Sequence, residues 1–333
     1  MRRTARTLVS LVAVMAVAAA ANAELIEKDF HESFEVTEGV SLRLEYGDGD
    51  VTITPWEKDV IDVVVRYRAD VKVVGFGTHA GFDVEFRQTD DRVTVRGIEG
   101  GSSGIYILHY VDEYDYTYEI KAPTYTVLDL RGDDGDLELA GWRADIECRT
   151  DDGDVNLTDV DNVNTEIWIE DGDVKLTGLT CDVVVKSDDG DITLVKSEVP
   201  HALFSMEDGD LRVVDCAGSF DASLDDGDVR MDGVTVSVLD IRGQDGDVDL
   251  DISSDGDIHV NVSTDDGDVG IRLAGGLSFA YLVTVDDGYV NIAVDGATDT
   301  ESSEHRVSGR VGEGGGLVRV STNDGDVELS TVE

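Results

Sequence analysis

The sequence predicts an all-β protein whose body is a β-solenoid, a single-stranded β-helix of 18–19-residue rungs with an N-terminal β capping region. Three observations predict it. The tripeptide Asp-Gly-Asp recurs, centred on Gly49, Gly135, Gly153, Gly172, Gly190, Gly209, Gly227, Gly246, Gly256, Gly267 and Gly325, with the variant Asp287-Gly288-Tyr289. From Gly135 to Gly246 the centres advance by 18, 19, 18, 19, 18 and 19 residues, and a fixed period near 20 is the mark of a repeat architecture. The apolar residues, 41% of the chain, are mostly Val, Leu and Ile in period-two order, and only three Pro interrupt them, which reads as ordered β-structure.

Residues 1–23 read as a secretion signal. A basic start, MRRTAR, precedes the apolar run LVSLVAVMAVAAA and a small-residue site, Ala21-Asn22-Ala23. The run is too short and too rich in Ala for a stable membrane span. Arg2-Arg3 lacks the surroundings of a twin-arginine signal, and no Cys follows the cleavage site to carry a lipid. The mature chain is therefore expected to be exported, to the periplasm, the cell surface or the medium, without a transmembrane segment.

Residues 24–125 contain one Asp-Gly-Asp, at Gly49, and longer strand-like runs at 60–67, 82–87 and 93–96. They are expected to form the β-rich cap that starts the stack. Two glycine-rich stretches there, Gly75-Phe76-Gly77 and Gly100-Gly101-Ser102-Ser103-Gly104, read as mobile loops.

Residues 126–333 are expected to form the Asp-Gly-Asp repeat solenoid. After each tripeptide comes an apolar–polar–apolar triplet, such as Val155-Asn156-Leu157, Val174-Lys175-Leu176 and Ile192-Thr193-Leu194, a short strand with one face inward. Six residues past the central Gly lies a second turn, often another Gly: Gly141, Gly178, Gly233. A second strand then returns to the next tripeptide. Such a unit cannot close a core alone, and stacking buries a continuous one. An antiparallel meander with a hairpin at every Asp-Gly would need an open sheet of about sixteen strands, beyond the usual limit. Near the end, Gly256 places an extra tripeptide at an opposite corner, and the segment from Gly288 to Gly325 fits two further rungs with a Gly-rich excursion at 312–316.

Charge removes several functions. Lys+Arg number 26 against 73 Asp+Glu, a net charge of −47. Such a surface repels nucleic acid, anionic lipid and acidic polysaccharide and attracts cations, and no basic patch exists to neutralise phosphates. His31, His79, His109, His201, His259 and His305 show no paired ligand spacing, so zinc is not indicated. The one Gly-x-Ser-x-Gly match, Gly100-Gly101-Ser102-Ser103-Gly104, lies in a glycine-rich stretch and not at a strand-to-helix turn, so it does not point to a nucleophile. Cys148, Cys181 and Cys216 are odd in number and uneven in position, which argues against a disulfide framework and reads as three small core residues, the alternative being one pair joined in an oxidising compartment. Tyr106, Tyr110, Tyr114, Tyr116 and Tyr118 share parity, as strand packing or as a stacking face for a sugar or an extended peptide.

The chain resembles the bacterial "putative adhesin" family, a β-strand-repeat domain of unknown function. The resemblance covers most of the mature chain and rests on TPWEKDVIDVVV (54–65), YEIKAPTYTVLDL (118–130), the GDV/GDL/GDI series and GGGLVRVSTNDGDVELS (314–330). It implies a β-solenoid fold, an exported or envelope location and no catalytic residues. Related repeats resemble Ser-Gly-Asp or Asn-Gly-Asp more often, whereas here Asp precedes Gly almost throughout.

That departure raises an ion question. Stacked corners place Asp152, Asp171, Asp189, Asp208 and Asp226 on one line and Asp154, Asp173, Asp191, Asp210 and Asp228 on another. At a rung spacing of roughly 4.8 Å, neighbouring charges repel by about 0.9 kcal/mol in water and about 3.5 kcal/mol at an effective dielectric of 20. Hydrogen bonds from turn N–H groups, salt screening or partial protonation, or Ca²⁺ held between rungs by these ten aspartates would offset it. The spacing matches no established calcium loop, and no other cofactor is implied.

The functional expectation is a non-catalytic envelope protein, a rigid acidic rod acting as an adhesin-like or scaffold module toward an envelope protein or a surface glycan. The alternatives are a periplasmic sensor or regulatory partner, and a β-helix polysaccharide-active enzyme. Against the enzyme, catalytic carboxylates are few and set apart by environment, whereas these are uniform along the stack.

Overall fold

In the computed structural model, which describes residues 22–78, 82–99, 103–303 and 305–332, the chain is all-β, with no helix among the described residues. The N-terminal strands are β1 (Asn22–Glu35), β2 (Ser41–Gly47), β3 (Asp50–Pro55), β4 (Val60–Thr78), β5 (Phe82–Gln88), β6 (Arg92–Glu99) and β7 (Ser103–Ala122). The repeat supplies β8 (Val127–Gly132), β9 (Leu137–Ala140), β10 (Ile146–Thr150), β11 (Val155–Thr158), β12 (Asn164–Asp171), β13 (Val174–Thr177), β14 (Asp182–Asp189) and β15 (Ile192–Val195). It continues through β16 (Glu198–Asp208), β17 (Leu211–Val214), β18 (Ala217–Asp226), β19 (Val229–Asp245), β20 (Val248–Ser253), β21 (His259–Asp266) and β22 (Val269–Ala274). Last come β23 (Phe279–Asp287), β24 (Val290–Ala293), β25 (Ala297–Ser302), β26 (Arg306–Val311), β27 (Gly316–Asp324) and β28 (Val327–Val332).

The strands form two ladders joined through the corners. In the first, β8, β10, β12, β14, β16 and β18 lie side by side and parallel. In the second, β9, β11, β13, β15 and β17 do the same. The long β19 serves both, its start in the second ladder and its end in the first. Val155 thus pairs with Val174, and Val174 with Ile192. Val155, Leu157, Val174, Leu176, Ile192 and Leu194 all point inward and are at most 1% exposed. A lone rung would leave both flanks of these aliphatics wet, forfeiting about 1.5–3 kcal/mol of burial per side chain. The core is therefore a product of stacking.

The repeat is β-solenoid-like, but the sheet as a whole is of mixed orientation. At the N-terminal end β5 pairs antiparallel with β6, and β1, β4 and β7 form an antiparallel set. At the C-terminal end β26 pairs antiparallel with β23 and with β25. Stack order also departs from chain order at both ends. The β2–β3 pair lies between β6–β7 on one side and β8–β9 on the other. The β27–β28 pair lies between β21–β22 and β23–β24. The expectation that residues 288–325 simply add two more rungs is corrected: they add a hairpin, and the strands that follow turn back into the stack.

The reading of Gly75-Phe76-Gly77 as a loop is likewise corrected, because these residues lie in β4 paired to β7. The other glycine-rich stretch lies partly outside the described residues, and its Ser103 and Gly104 belong to β7.

The second corner explains why glycine is frequent there without being universal. Gly141, Asp159, Gly178, Lys196, Asp215 and Gly233 all adopt left-handed φ, between 50° and 70°. Asp tolerates that region and Gly prefers it; Lys196 carries the ordinary penalty of an L-residue held there.

Candidate functional site: the Asp-Gly-Asp corner

Each rung turns from the first ladder to the second at Asp-Gly-Asp. From Gly135 onward the stacked glycines have φ between 103° and 142°, a region closed to most L-residues. A Cβ on any of them would overlap the carbonyl of the glycine one rung away. Read by these contacts, the order along the edge is Gly49, Gly135, Gly153, Gly172, Gly190, Gly209, Gly227, Gly246, Gly267, Gly325, Gly288. Gly256 is not a member, and a Cβ there would meet nothing within 4 Å.

The aspartate after each glycine has a defined task. Asp136 donates its main-chain N–H to Asp50 Oδ1 at 3.1 Å, and Asp154 donates to Asp136 Oδ1 at 2.9 Å. The pattern continues through Asp173, Asp191, Asp210, Asp228, Asp247, Asp268 and Asp326, ending on Tyr289, at 2.7 to 3.0 Å. Each carboxylate thus accepts the N–H of the equivalent residue in the next rung, a charge-assisted bond that ties rungs together outside the strand ladders.

The aspartate before each glycine differs. Asp171 is in register with Asp189, Asp208 with Asp226, Asp226 with Asp245, and Asp266 with both Asp245 and Asp324. Its main-chain carbonyl is the useful group: Asp245 O accepts from Gly227, Asp266 O from Gly246 and Asp324 O from Gly267, at 3.0 to 3.1 Å. Its carboxylate stays exposed. The carboxyl of Asp266 is held above its ordinary range, first because surrounding protein displaces water from it, then by the charges of Asp324 and Asp245. Asp133 is raised for the same reasons, burial first and then Asp151 and Asp48.

The ten aspartates singled out from the sequence are therefore brought to one edge, with different roles. Among the described residues, no three or more His, Cys, Asp or Glu side chains are placed to hold a metal ion together. Two features escaped the sequence reading. A third acidic row, Asp151, Glu170, Asp188, Glu207 and Asp225, immediately precedes the first aspartate; DDGD and EDGD were the available signal. Buried hydroxyls also brace the turn: Thr150, Ser187, Thr264 and Thr322 donate to the carbonyls of Asp152, Asp189, Asp266 and Asp324, at 2.9 to 3.2 Å.

Of the remaining candidates, the three cysteines and Tyr116 are packed in the core. Cys148, Cys181 and Cys216 are free and buried, and burial pushes the Cys148 thiol up to about 12 and that of Cys181 to about 11. Tyr116 stacks on Phe82 at 4.6 Å and on Tyr114 at 5.4 Å between ring centroids, and its hydroxyl donates to Glu99 at 2.7 Å. Tyr114 is half exposed and donates to Asp48 at 2.8 Å. The side chains of Tyr106 and Tyr110, His79 and residues 1–21 of the leader lie outside the described residues. Among the described residues no helix is long and apolar enough to cross a membrane.

A family model described as Toastrack DUF4097 matches residues 40–265 and 180–330. Several solved structures align with the chain along most of its length. A Parabacteroides distasonis protein called a "putative adhesin" aligns over 91% of this chain and 97% of its own, with 11% identity and a TM-score of 0.43. A Bacteroides fragilis protein of the same description aligns over 92% and 97%, at 12% identity and 0.40. A second Parabacteroides distasonis protein, called a "putative lipid binding protein", aligns over 92% and 97%, at 9% and 0.40. No curated protein matches the chain.

Proposed function

The chain belongs to the Toastrack DUF4097 family, and from that premise we propose that it is a non-catalytic exported envelope protein, a rigid acidic rod serving as an adhesin-like or scaffold module. The observation that carries the reading is the uniformity of the corner. Ten successive N–H groups are held by the same carboxylate position. A catalytic carboxylate is set apart from its neighbours by environment, and along this edge the aspartates after glycine repeat one structural role. The repeat region is read as a single-stranded β-helix, and its partner as an envelope protein or surface glycan met by the ladder faces and the second corner. The leader directs the chain to the periplasm or surface, where divalent cations are available to relieve the stacked charge.

The experiment is retention of envelope components on the immobilised mature protein from detergent-treated cells, alongside turnover assays on a panel of polysaccharides. A reproducible retained partner with no turnover is expected. Polysaccharide cleavage that disappears on changing one Asp would replace this reading with the enzyme.

A further inference from the structure

The stack has four sheet ends, and they are not finished alike. At the N-terminal end the first ladder is covered by β5, and the second by β4 and then β1. At the C-terminal end the first ladder is covered by β26 and then β25. The second ladder ends at β24, which among the described residues pairs only with β28. Val290 and Ile292 of β24 are half-buried, while their partners Val327 and Leu329 on β28 are 1% and 0% exposed. Tyr289, at the entry to β24, is 80% exposed.

The main chain of β24 has a readable polarity. Val327 donates its N–H to the carbonyl of Tyr289 at 2.9 Å, and Tyr289 donates its N–H to Asp326 Oδ1. Tyr289 therefore faces β28. Successive residues of a strand turn their N–H and C=O to opposite sides, so Val290 and Ile292 direct theirs away from the stack. Such a row of unpaired groups is a template for another strand.

We propose that the free edge of β24 accepts an added strand from a partner protein, an extended segment alternating apolar and basic residues. Apolar side chains would complete the cover over Val290 and Ile292. Basic ones would lie on the opposite face, where Glu328 is exposed on β28 and Asp287 and Asp295 flank the strand. Charge selects this occupant over a second copy of the chain, because two molecules each carrying −47 repel. The inference rests on the interaction-module reading and adds the surface and the chemistry of its partner.

The test uses the intact mature protein and a short synthetic peptide alternating Lys and Val, with a Glu-Val peptide as control. The Lys-Val peptide is expected to bind and to slow amide hydrogen exchange at Val290 and Ile292 by about tenfold or more, the equivalent of about 1.4 kcal/mol, with no binding of the Glu-Val peptide. Ile292→Pro removes one outward N–H and is expected to weaken binding by about tenfold while the protein still melts cooperatively. Failure of the Lys-Val peptide to bind would overturn the proposal. So would binding that leaves exchange at Val290 and Ile292 unchanged, which would mean adhesion to the acidic corner, or unaltered affinity in a folded Ile292→Pro protein. None of these results bears on envelope retention, so the broader reading stands or falls separately.

Discussion

The main-chain N–H of Tyr289 donates to Asp326 Oδ1 over 2.8 Å, and among the described residues no further rung lies beyond Tyr289 in that line. Everywhere else in the line the residue after glycine is Asp, because the next rung's N–H needs an acceptor. No next-rung N–H awaits the side chain of Tyr289 among the described residues, and there the repeat gives up its carboxylate. The second aspartate of the tripeptide thus answers to a neighbouring rung rather than to its own turn.

Gly190 and Gly256 sit in identical tripeptides and should respond oppositely to alanine. Gly190→Ala places a Cβ against Gly172 O at φ 119°, with an expected cost of about 3 kcal/mol from clash and left-sided backbone together. Gly256→Ala meets open space and should stay within about 0.5 kcal/mol of the parent. Urea unfolding monitored by circular dichroism checks both, and equal effects would refute the glycine edge.

The two aspartates of one corner should also separate. Asp191→Ala removes the acceptor of the Asp210 N–H and is expected to lose about 1 kcal/mol. Asp191→Asn keeps an oxygen there and should lose less. Asp189→Asn removes a charge from the exposed line and should raise stability at low salt. Tyr289→Asp should be near neutral, within about 0.5 kcal/mol. Thermal melts of the four variants decide whether the two lines differ as described.

Cations should raise the melting temperature, and the form of the response tells how. Screening alone makes CaCl₂ and NaCl equivalent at matched ionic strength. Calcium held between rungs by Asp189, Asp191, Asp208 and Asp210 gives an additional gain, about 2.7 kcal/mol at a hundredfold excess over its dissociation constant. Chelator and the double change Asp189→Asn with Asp208→Asn would each remove that gain. Superimposed melts in the two salts would leave screening as the whole effect.

Acidity should stabilise the edge locally. The Asp266 carboxyl is raised in the folded chain, so the folded state binds its proton more tightly than the unfolded state does. Its contribution is therefore destabilising above the unfolded pKa and is relieved as pH falls through the folded value. Asp266→Asn is expected to raise the melting temperature at neutral pH and to narrow its difference from the parent on acidification. A difference that widens on acidification would reverse the sign.

The middle of this fold is legible in the sequence because one residue type is forced at one place. Only Gly fits beneath the carbonyl of the next glycine, so the 18- and 19-residue steps from Gly135 to Gly246 report stack order directly. The ends are less legible. Spacing along the chain says which rung comes next in sequence, and β27 leaves Gly288 on its outer side while following it in the chain. The clue was Tyr289: the missing carboxylate marks the end of the line at Gly288, while Gly325 keeps its Asp because it is interior. Gly75 and Gly77 misled because glycine in a strand resembles glycine in a loop when pairing partners are unknown. The corner site was legible as two lines of acid, but the division of labour between them depends on main-chain direction, which residue types alone do not carry.

The tucked position of β27 and β28 has a mechanical consequence. A strand at the rim of a sheet peels off one bond at a time under load, whereas one gripped on both flanks must slide past two neighbours together. Traction applied at β28 meets β22 on one side and β24 on the other, and traction on β2 meets β6 and β8. Tension entering through β28 therefore arrives as shear on an inner layer, whereas β1 at the other end is gripped by β4 alone among the described residues.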